Sequence, residues 1–238
     1  MTKILFRPPT WKRYLSFREA IKKQSLLRCL EYERLALLGL KGRVLDFGGG
    51  RHVNYAEKIA EWGSESGFIY ESANIDPNTN PHFLLDKSGR IPTDPAQYDA
   101  VISLNTLEHV SDLNGTLSEL RRVSRDGARL ILVVPFLFPV HGHPSDYHRG
   151  TPSFWEKILH DHNFKNVNIE TLTWGPFSTA SLVTGLPGPL KGLRRTTSLL
   201  LDLAYSQKNF RGRDKIMAVQ DDPACRAPIA YFIEASAR

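Results

Sequence analysis

The densest group of chemically reactive side chains in this 238-residue sequence lies between positions 139 and 149. An imidazole that titrates near neutral pH can take a proton from an acceptor hydroxyl. A carboxylate beside it, here Asp146, can orient the ring or raise its pKa. We therefore expect a general base in this region, with His141 ranked first and His143 and His109 behind it.

Other roles for this stretch stay open. His141, His143, Asp146 and His148 could together bind a divalent metal, because imidazole and carboxylate are both suitable ligands. The first two histidines could also cap a loop, and His109 could pack beneath a binding site. Ligand spacing within one loop is weak evidence for a metal, so we expect a base and no metal.

The same stretch offers groups that could hold a substrate. Arg149 can bind an acidic group of an acceptor or pair with Asp146. We assign Asp146, Tyr147 and Arg149 to acceptor binding. This assignment favours an acceptor that carries negative charge.

A second candidate site is the segment Asp46-x-Gly48-x-Gly50, which follows a short apolar run. Glycines allow a chain to turn sharply from a strand into a helix, whose first N–H groups attract anionic groups. A carboxylate before the first glycine repels a pyrophosphate, but it can pair with an ammonium group or accept a hydrogen bond from a hydroxyl. The segment also lacks the final glycine of the dinucleotide-binding pattern. A nucleotide-dependent oxidoreductase is therefore disfavoured.

The elements that must position these residues alternate between strands and helices. Such alternation predicts a doubly wound α/β fold with a mainly parallel seven-stranded sheet and helices on both faces. Ligands in such sheets bind beyond the carboxyl ends of the strands, which places Asp46, Gly48, Gly50, Asp76, Asp86 and Asn105 along one rim. The predicted strands cover 44–47, 68–75, 83–85, 98–104, 129–134, 167–172 and 229–235, and the predicted helices cover 12–39, 53–62, 112–124 and 152–163.

Several segments together resemble the class I S-adenosylmethionine-dependent methyltransferases, which have a Rossmann-like fold. Their order and spacing carry the resemblance, over about residues 43–172 and the last strand; His52 departs from it, standing where many members have a third glycine. The segments are 44–50, 74–76, 84–86, 98–103, 107–110 and the turn 126–130.

The resemblance implies S-adenosylmethionine as cofactor. It implies that Asp46, Gly48, Gly50, Asp76, Asp86 and Asn105 bind it. In the family, the acid at the position of Asp76 binds the ribose hydroxyls, and the acid at that of Asp86 faces the adenine amino group. The stretch 139–149 also resembles a type 11-like subgroup found in polysaccharide and glycan gene clusters.

The absence of one motif limits the class of methyl acceptor. The stretch 105–108 does not resemble the Asn/Asp-Pro-Pro-Tyr/Phe motif of base-methylating enzymes. We therefore expect O-methylation of a sugar, a glycan or another small anionic acceptor, phosphorylated or lipid-linked, rather than nucleic acid. Two alternatives stay open: an RNA methyltransferase that uses basic flanks, and an inactive methyltransferase-like binding protein.

Charge divides the chain into an acidic body and two basic flanks. Residues 1–43 carry a net charge of +8, residues 44–190 of −6 and residues 191–215 of +5. We expect one domain over 1–238, comprising an N-terminal helical extension (1–42), a cofactor-binding core (43–174), an insertion (175–225) and a closing strand (226–238). The insertion is basic and amphipathic, so it could lie on an anionic membrane surface, but we expect a lid or a subunit contact that packs its leucines and leaves its basic ends solvated.

Composition and cysteine content indicate the class of protein and its expected location in the cell. Hydrophobic residues make up 41% and charged residues 24% of the chain, which is typical of globular proteins and argues against disorder. Cys29 and Cys225 are too few for a disulfide framework. The N-terminus lacks an apolar signal segment, and the longest apolar run, 130–140, is too short to span a bilayer. We expect a cytoplasmic protein, with peripheral membrane contact as an option.

Overall fold

The computed structural model describes residues 4–55, 57–59, 61, 67–86, 88–142, 145–186, 188–219 and 221–238. Five strands carry the predicted rim, and each pairs with its neighbours in parallel in the order β4-β3-β2-β5-β6. Val44, Leu45 and Val101 at their centres are fully buried, as expected for a parallel sheet covered on both faces. These strands are β2 (Arg43–Phe47), β3 (Ile69–Asn74), β4 (Phe83–Leu84), β5 (Tyr98–Leu104) and β6 (Ser124–Pro135).

The sheet is larger than the seven strands that we expected. Among the described residues, nine strands follow the hydrogen-bonded order β4-β3-β2-β5-β6-β9-β7-β1-β8. Two of them are too short to leave a pattern in the sequence: β1 pairs in parallel with β7, and β8 pairs antiparallel with β1, so the sheet is mixed. The four remaining strands are β1 (Ile4–Phe6), β7 (Phe164–Leu172), β8 (Met217–Ala218) and β9 (Ala230–Ala237).

The predicted N-terminal helix over 12–39 is three shorter helices. The backbone of Gln24 is extended, which ends the second helix, and the Ser25 hydroxyl accepts the N–H of Arg28 to begin the third. The helices are α1 (Trp11–Phe17), α2 (Ala20–Lys23), α3 (Leu26–Leu35), α4 (Leu113–Val123), α5 (Pro152–Asp161), α6 (Pro176–Val183), α7 (Lys191–Phe210) and α8 (Pro223–Arg226). The helix predicted over 53–62 is described only in part, with 57–59 and 61 helical.

Strand β6 begins five residues before its predicted start. The predicted turn at Asp126 and Gly127 lies inside the strand, where Gly127 adopts a φ of +81° and the pairing with β5 shifts its register between Tyr98 and Ala100. Glycine allows this left-handed conformation without a steric penalty, so the strand continues through an irregularity instead of ending.

The described contacts group the chain into two compact units, each made of more than one segment. The first contains 1–35, 135–140 and 169–232, and the second contains 36–134, 141–168 and 233–238. The second unit holds the glycine segment and most of the predicted site. Among the helices of the described residues, none has the length and hydropathy needed to cross a membrane.

Candidate active site

The glycine segment after β2 is shaped by close contacts with its own chain. Gly48 adopts a φ of +93°, and a Cβ there would overlap the Thr106 side chain. A Cβ on Gly49 would overlap the Asp46 carboxylate, and one on Gly50 would overlap the Thr79 carbonyl. All three positions therefore require glycine, including Gly49, which sequence reasoning did not single out.

Asn74, the last residue of β3, ties the glycine segment to the next loop on the rim. Its side-chain amide donates to the carbonyls of Gly48 and Gly49, at 2.7 and 3.2 Å. Its side-chain oxygen accepts the backbone N–H of Asp76 at 3.0 Å. One amide thus fixes the glycine segment relative to the acid that was predicted to bind ribose. The position of Asn74 at the carboxyl end of a predicted strand was the available signal.

Asp46 is fully buried, and two tyrosines hold it. Its Oδ2 accepts the hydroxyls of Tyr55 at 2.9 Å and Tyr70 at 2.8 Å. Burial, followed by the charge of Asp46, raises the pKa of Tyr70 well above its ordinary value, so the tyrosine stays a neutral donor. The carboxylate is thereby fixed beneath Gly49. Neither tyrosine was recognised from the sequence, because nothing in the local pattern directs them to Asp46.

Asp76 and Asp86 both form local turns at the rim. Asp76 Oδ1 accepts the N–H groups of the Asn78 backbone and side chain, each at 2.9 Å. Asp86 Oδ1 accepts the Ser88 N–H at 2.8 Å and its hydroxyl at 2.5 Å, and these bonds hold the pKa of the exposed Asp86 below its usual range. Each carboxylate has a second oxygen to offer a ligand.

The exit of β5 carries Asn105, in a left-handed conformation with a φ of +51°. Its N–H donates to the carbonyl of Val133 at 2.9 Å. Thr106 follows, and its side chain is the one that faces Gly48. The loop after β5 therefore touches the glycine segment directly, and it leads at once into the histidine region.

Three side chains converge just beyond this loop. Glu108 is buried, with one carboxylate oxygen 3.7 Å from His109 Nε2. The rings of His109 and His141 meet edge to face, with centroids 5.0 Å apart. His109 Nδ1 lies 2.5 Å from the Ser145 carbonyl, which fixes that nitrogen as the N–H donor. The structure therefore brings together two histidines that are 32 residues apart in the sequence.

His141 also faces Asp146. The Asp146 carboxylate accepts the His141 backbone N–H at 3.1 Å, and the same oxygen lies 3.5 Å from the ring nitrogen Nδ1. Arg149 pairs with both oxygens of Asp146. Burial acts to raise the pKa of Asp146, but Arg149 and the His141 N–H outweigh it and hold the pKa below its usual value. Asp146 is thus an anion between a guanidinium and an imidazole.

The remaining predicted residues have mixed placements. Tyr147 exposes 55% of its surface, and its backbone N–H donates to the Glu108 carbonyl at 2.6 Å. His143 lies outside the described residues. In the part of the chain that the structure describes, the ligand atoms close enough to hold a metal are one each from Glu108, His109 and His141, all within 4.8 Å of one another. The sequence had left His141, His143, Asp146 and His148 open as an alternative ligand set, although we expected no metal, and Glu108 was not among them.

Comparison with known proteins identifies a family. Residues 14–169 match the model of a methyltransferase domain family. No curated protein sequence matches the chain.

Solved structures share the fold at low sequence identity. An S-adenosylmethionine-dependent methyltransferase from Archaeoglobus fulgidus is 16% identical, with a TM-score of 0.53 over 94% of this chain and 99% of that chain. The geranyl diphosphate C-methyltransferase of Streptomyces coelicolor, solved with S-adenosylhomocysteine, is 14% identical, with a TM-score of 0.55 over 93% of this chain and 84% of that chain.

A third solved structure is longer than this chain. The phosphoethanolamine N-methyltransferase 2 of Haemonchus contortus, also solved with S-adenosylhomocysteine, is 14% identical, with a TM-score of 0.51 over 95% of this chain. The present chain spans about half of that protein, 53% of its length. At these identities the similarity concerns the fold.

Proposed function

This chain belongs to the methyltransferase domain family that its residues 14–169 match, and from that premise we propose that it methylates a hydroxyl of a sugar, a glycan or another small anionic acceptor. The cofactor is S-adenosylmethionine, which supplies an electrophilic methyl group on a positively charged sulfur. The observation that carries the proposal is the contact between Gly48 and Thr106, because it joins the glycine segment to the loop that leads to Glu108 and His109.

The residues of the rim fit such a cofactor. The three glycines let the backbone turn sharply against Thr106, Asp46 and Thr79 at the end of β2. Asp76, held to the glycine segment through Asn74, offers its Oδ2 to ribose hydroxyls. Asp86 and Asn105 line the same rim. Buried Asp46 fixes the shape of the glycine segment through Tyr55 and Tyr70.

His141 is the general base. Asp146 faces its Nδ1, so the carboxylate favours the tautomer in which Nδ1 carries the proton and Nε2 is the basic nitrogen. Nε2 then takes the proton of the acceptor hydroxyl, and the negative charge of Asp146 stabilises the imidazolium that forms. The side chain of His141 is 39% exposed, so an acceptor can reach it. His109 is more buried and is held at Nδ1 by a carbonyl, which suits an orienting role.

One feature supports an anionic acceptor. The residues that follow 169 lie outside the family match and include the basic segment 191–215, whose positive charge attracts an anion. Arg149, which was expected to bind an acidic group of the acceptor or to pair with Asp146, does the second. A phosphorylated or lipid-linked sugar carries the negative charge that the basic segment favours.

A second way to activate the acceptor is favoured by the cluster of Glu108, His109 and His141. Two imidazoles and one carboxylate are a ligand set that suits zinc-like cations and leaves a coordination position open. In this case Glu108, His109 and His141 would hold the cation, which would supply Lewis-acid activation of the acceptor hydroxyl. The two modes differ in their response to a chelator.

The test is methyl transfer from labelled S-adenosylmethionine to a panel of sugar nucleotides and lipid-linked glycans. We expect His141→Ala to lose about 100- to 10,000-fold in turnover because the base is gone, while its cofactor affinity stays unchanged. His160→Ala, a substitution at an exposed position of α5, is the matched control and should keep full activity.

Wild-type turnover should also survive dialysis against EDTA. Loss of activity on dialysis, with recovery on adding Zn²⁺, would assign the cluster to a metal instead of a base. Near-wild-type turnover in His141→Ala would refute both modes.

A further inference from the structure

Helix α7 has one face that packs on the protein and one that does not. Its 20 residues begin at Lys191 and end at Phe210. The buried positions recur at helical spacing and define the inward face; they are Ser198, Leu199, Asp202, Leu203, Ser206 and Phe210. Because successive residues rotate by about 100° around a helix, the opposite face is centred on residues 193, 197, 200 and 204.

The outward face is apolar where a solvated helix would be polar. Leu193 is 62% exposed, Leu201 46% and Leu200 39%, and Leu190 just before the helix is 69% exposed. Leu200 and Leu201 follow Leu193 by seven and eight residues, which is about two helical turns. The three side chains therefore form one stripe along the helix. Exposed leucines grouped along one helix face in this way, with Thr196 and Thr197 between them, mark a surface that binds something.

The charges around the stripe are of one sign. Lys191, Arg194, Lys208 and Arg211 lie beside it or at its ends, and all four positions are exposed. The single acid of the helix, Asp202, points inward and accepts the backbone N–H groups of Phe177 and Ser178, each at 2.9 Å. The charged side chains described beside the exposed leucines of this helix are therefore all positive.

The combination of exposed leucines and positive charge indicates which kind of partner binds this face. A second copy of the chain would bring two positive faces together, which is electrostatically unfavourable. A nucleic acid would satisfy the cations but would leave the leucines in contact with phosphates or water. An anionic bilayer satisfies both, because leucines enter the acyl boundary while long basic side chains extend to the headgroups. We propose that the outward face of α7 docks on the surface of an anionic lipid membrane.

The proposal goes beyond the methyl transfer and does not depend on it. Docking would hold the protein where a lipid-linked acceptor is concentrated. Each lysine or arginine near an anionic surface adds attraction that salt screens. Binding should therefore require both the leucines and the charges, and it should weaken as salt is raised.

The experiment is co-sedimentation of the full chain with vesicles of phosphatidylcholine and phosphatidylglycerol in equal amounts. We expect binding to these vesicles, and none to pure phosphatidylcholine. The triple variant Leu193→Ser, Leu200→Ser and Leu201→Ser should stay in the supernatant. The double variant Lys191→Gln and Lys208→Gln should bind about 20-fold more weakly.

Matched controls lie elsewhere on the chain. Leu37→Ser removes a leucine that is also 62% exposed, and Lys165→Gln removes an exposed lysine. Both should bind as the wild type does. Circular dichroism checks that every variant is folded.

Three results would overturn the proposal. The first is a folded wild type that ignores anionic vesicles or binds neutral ones equally well. The second is a wild-type dimer in light scattering that the leucine variant converts to a monomer, which would assign the face to a second copy. The third is tight RNA binding that the lysine variant loses and the leucine variant keeps. Vesicle binding is measured without cofactor or acceptor, so it stands or fails separately from the methyl transfer.

Discussion

At the scale of residues, Asp46 illustrates how hydrogen bonds position a predicted ligand. The resemblance implied that its carboxylate binds the cofactor. The structure buries it completely and directs the Tyr55 and Tyr70 hydroxyls onto one of its oxygens. A carboxylate held in this way can shape the backbone above it, since Gly49 rests against it. We therefore assign Asp46 to positioning of the glycine segment.

This assignment predicts the effect of removing one hydroxyl. Tyr70→Phe should lower the free energy of unfolding by about 1.5–3 kcal/mol, because a hydrogen bond to a buried charged group is lost. Urea unfolding measures the change. Tyr147→Phe is the control, since its exposed ring should tolerate the substitution. An unchanged stability in Tyr70→Phe would show that the hydroxyl does not support Asp46.

The chemistry-bearing residues were partly foreseeable. The spacing of histidines after the fifth predicted strand identified His141, and the sequence Leu-Glu-His identified His109. Their partners depend on how the loops fold, which no local pattern encodes. Tyr55 and Asn74 are examples, because each meets its partner only across a turn or an adjacent strand.

At the scale of elements, helix α6 depends on an acid from another helix. Asp202 of α7 is fully buried and accepts the first free N–H groups of α6. Burial raises the pKa of Asp202, although the hydrogen bonds from Ser178 and Phe177 act against it. The folded protein therefore holds a proton on this carboxyl at pH values where the unfolded chain has released it.

The consequence is a defined pH dependence. The contribution of Asp202 to the free energy of unfolding is greatest below its ordinary pKa of 3.8. It declines as pH rises from there through the raised value, because the unfolded state binds fewer protons. Asp202→Asn should remove this slope. The free energy of unfolding of the wild type minus that of the variant, measured by urea unfolding at several pH values, should therefore fall as pH rises. The exposed Asp221→Asn serves as control, and a difference that stays level or rises would contradict the account.

The bounds of an element could be predicted where the pattern of apolar residues is strong. They could not be predicted where a side chain caps a helix and so sets its first residue. Strand β5 has the predicted bounds, since buried Ala100, Val101 and Ile102 form its apolar centre. The N-terminal helix breaks at Gln24 and Ser25 because a hydroxyl cap begins a new helix there. Apolar periodicity continues through that break and conceals it.

At the scale of the whole molecule, the alternation of strands and helices was sufficient to predict an α/β fold, and the family resemblance implied that it is Rossmann-like. The alternation was not sufficient for the number of strands. Strands β1 and β8 contain three and two residues, and tertiary pairing alone makes them strands. The family match ends at residue 169, so the late basic segment has no counterpart in the shared core to guide its prediction.

The central claim is that the rim of β2 and β3 binds S-adenosylmethionine. Calorimetry with S-adenosylhomocysteine, the product form, tests it without knowledge of the acceptor. We predict one molecule bound per wild-type chain, and about 10- to 100-fold weaker binding by Asp76→Asn, which keeps the turn but loses the charge offered to the ribose hydroxyls. Asp94→Asn, at another exposed acid, should bind as the wild type does. A folded wild-type chain that binds no S-adenosylhomocysteine would contradict the account.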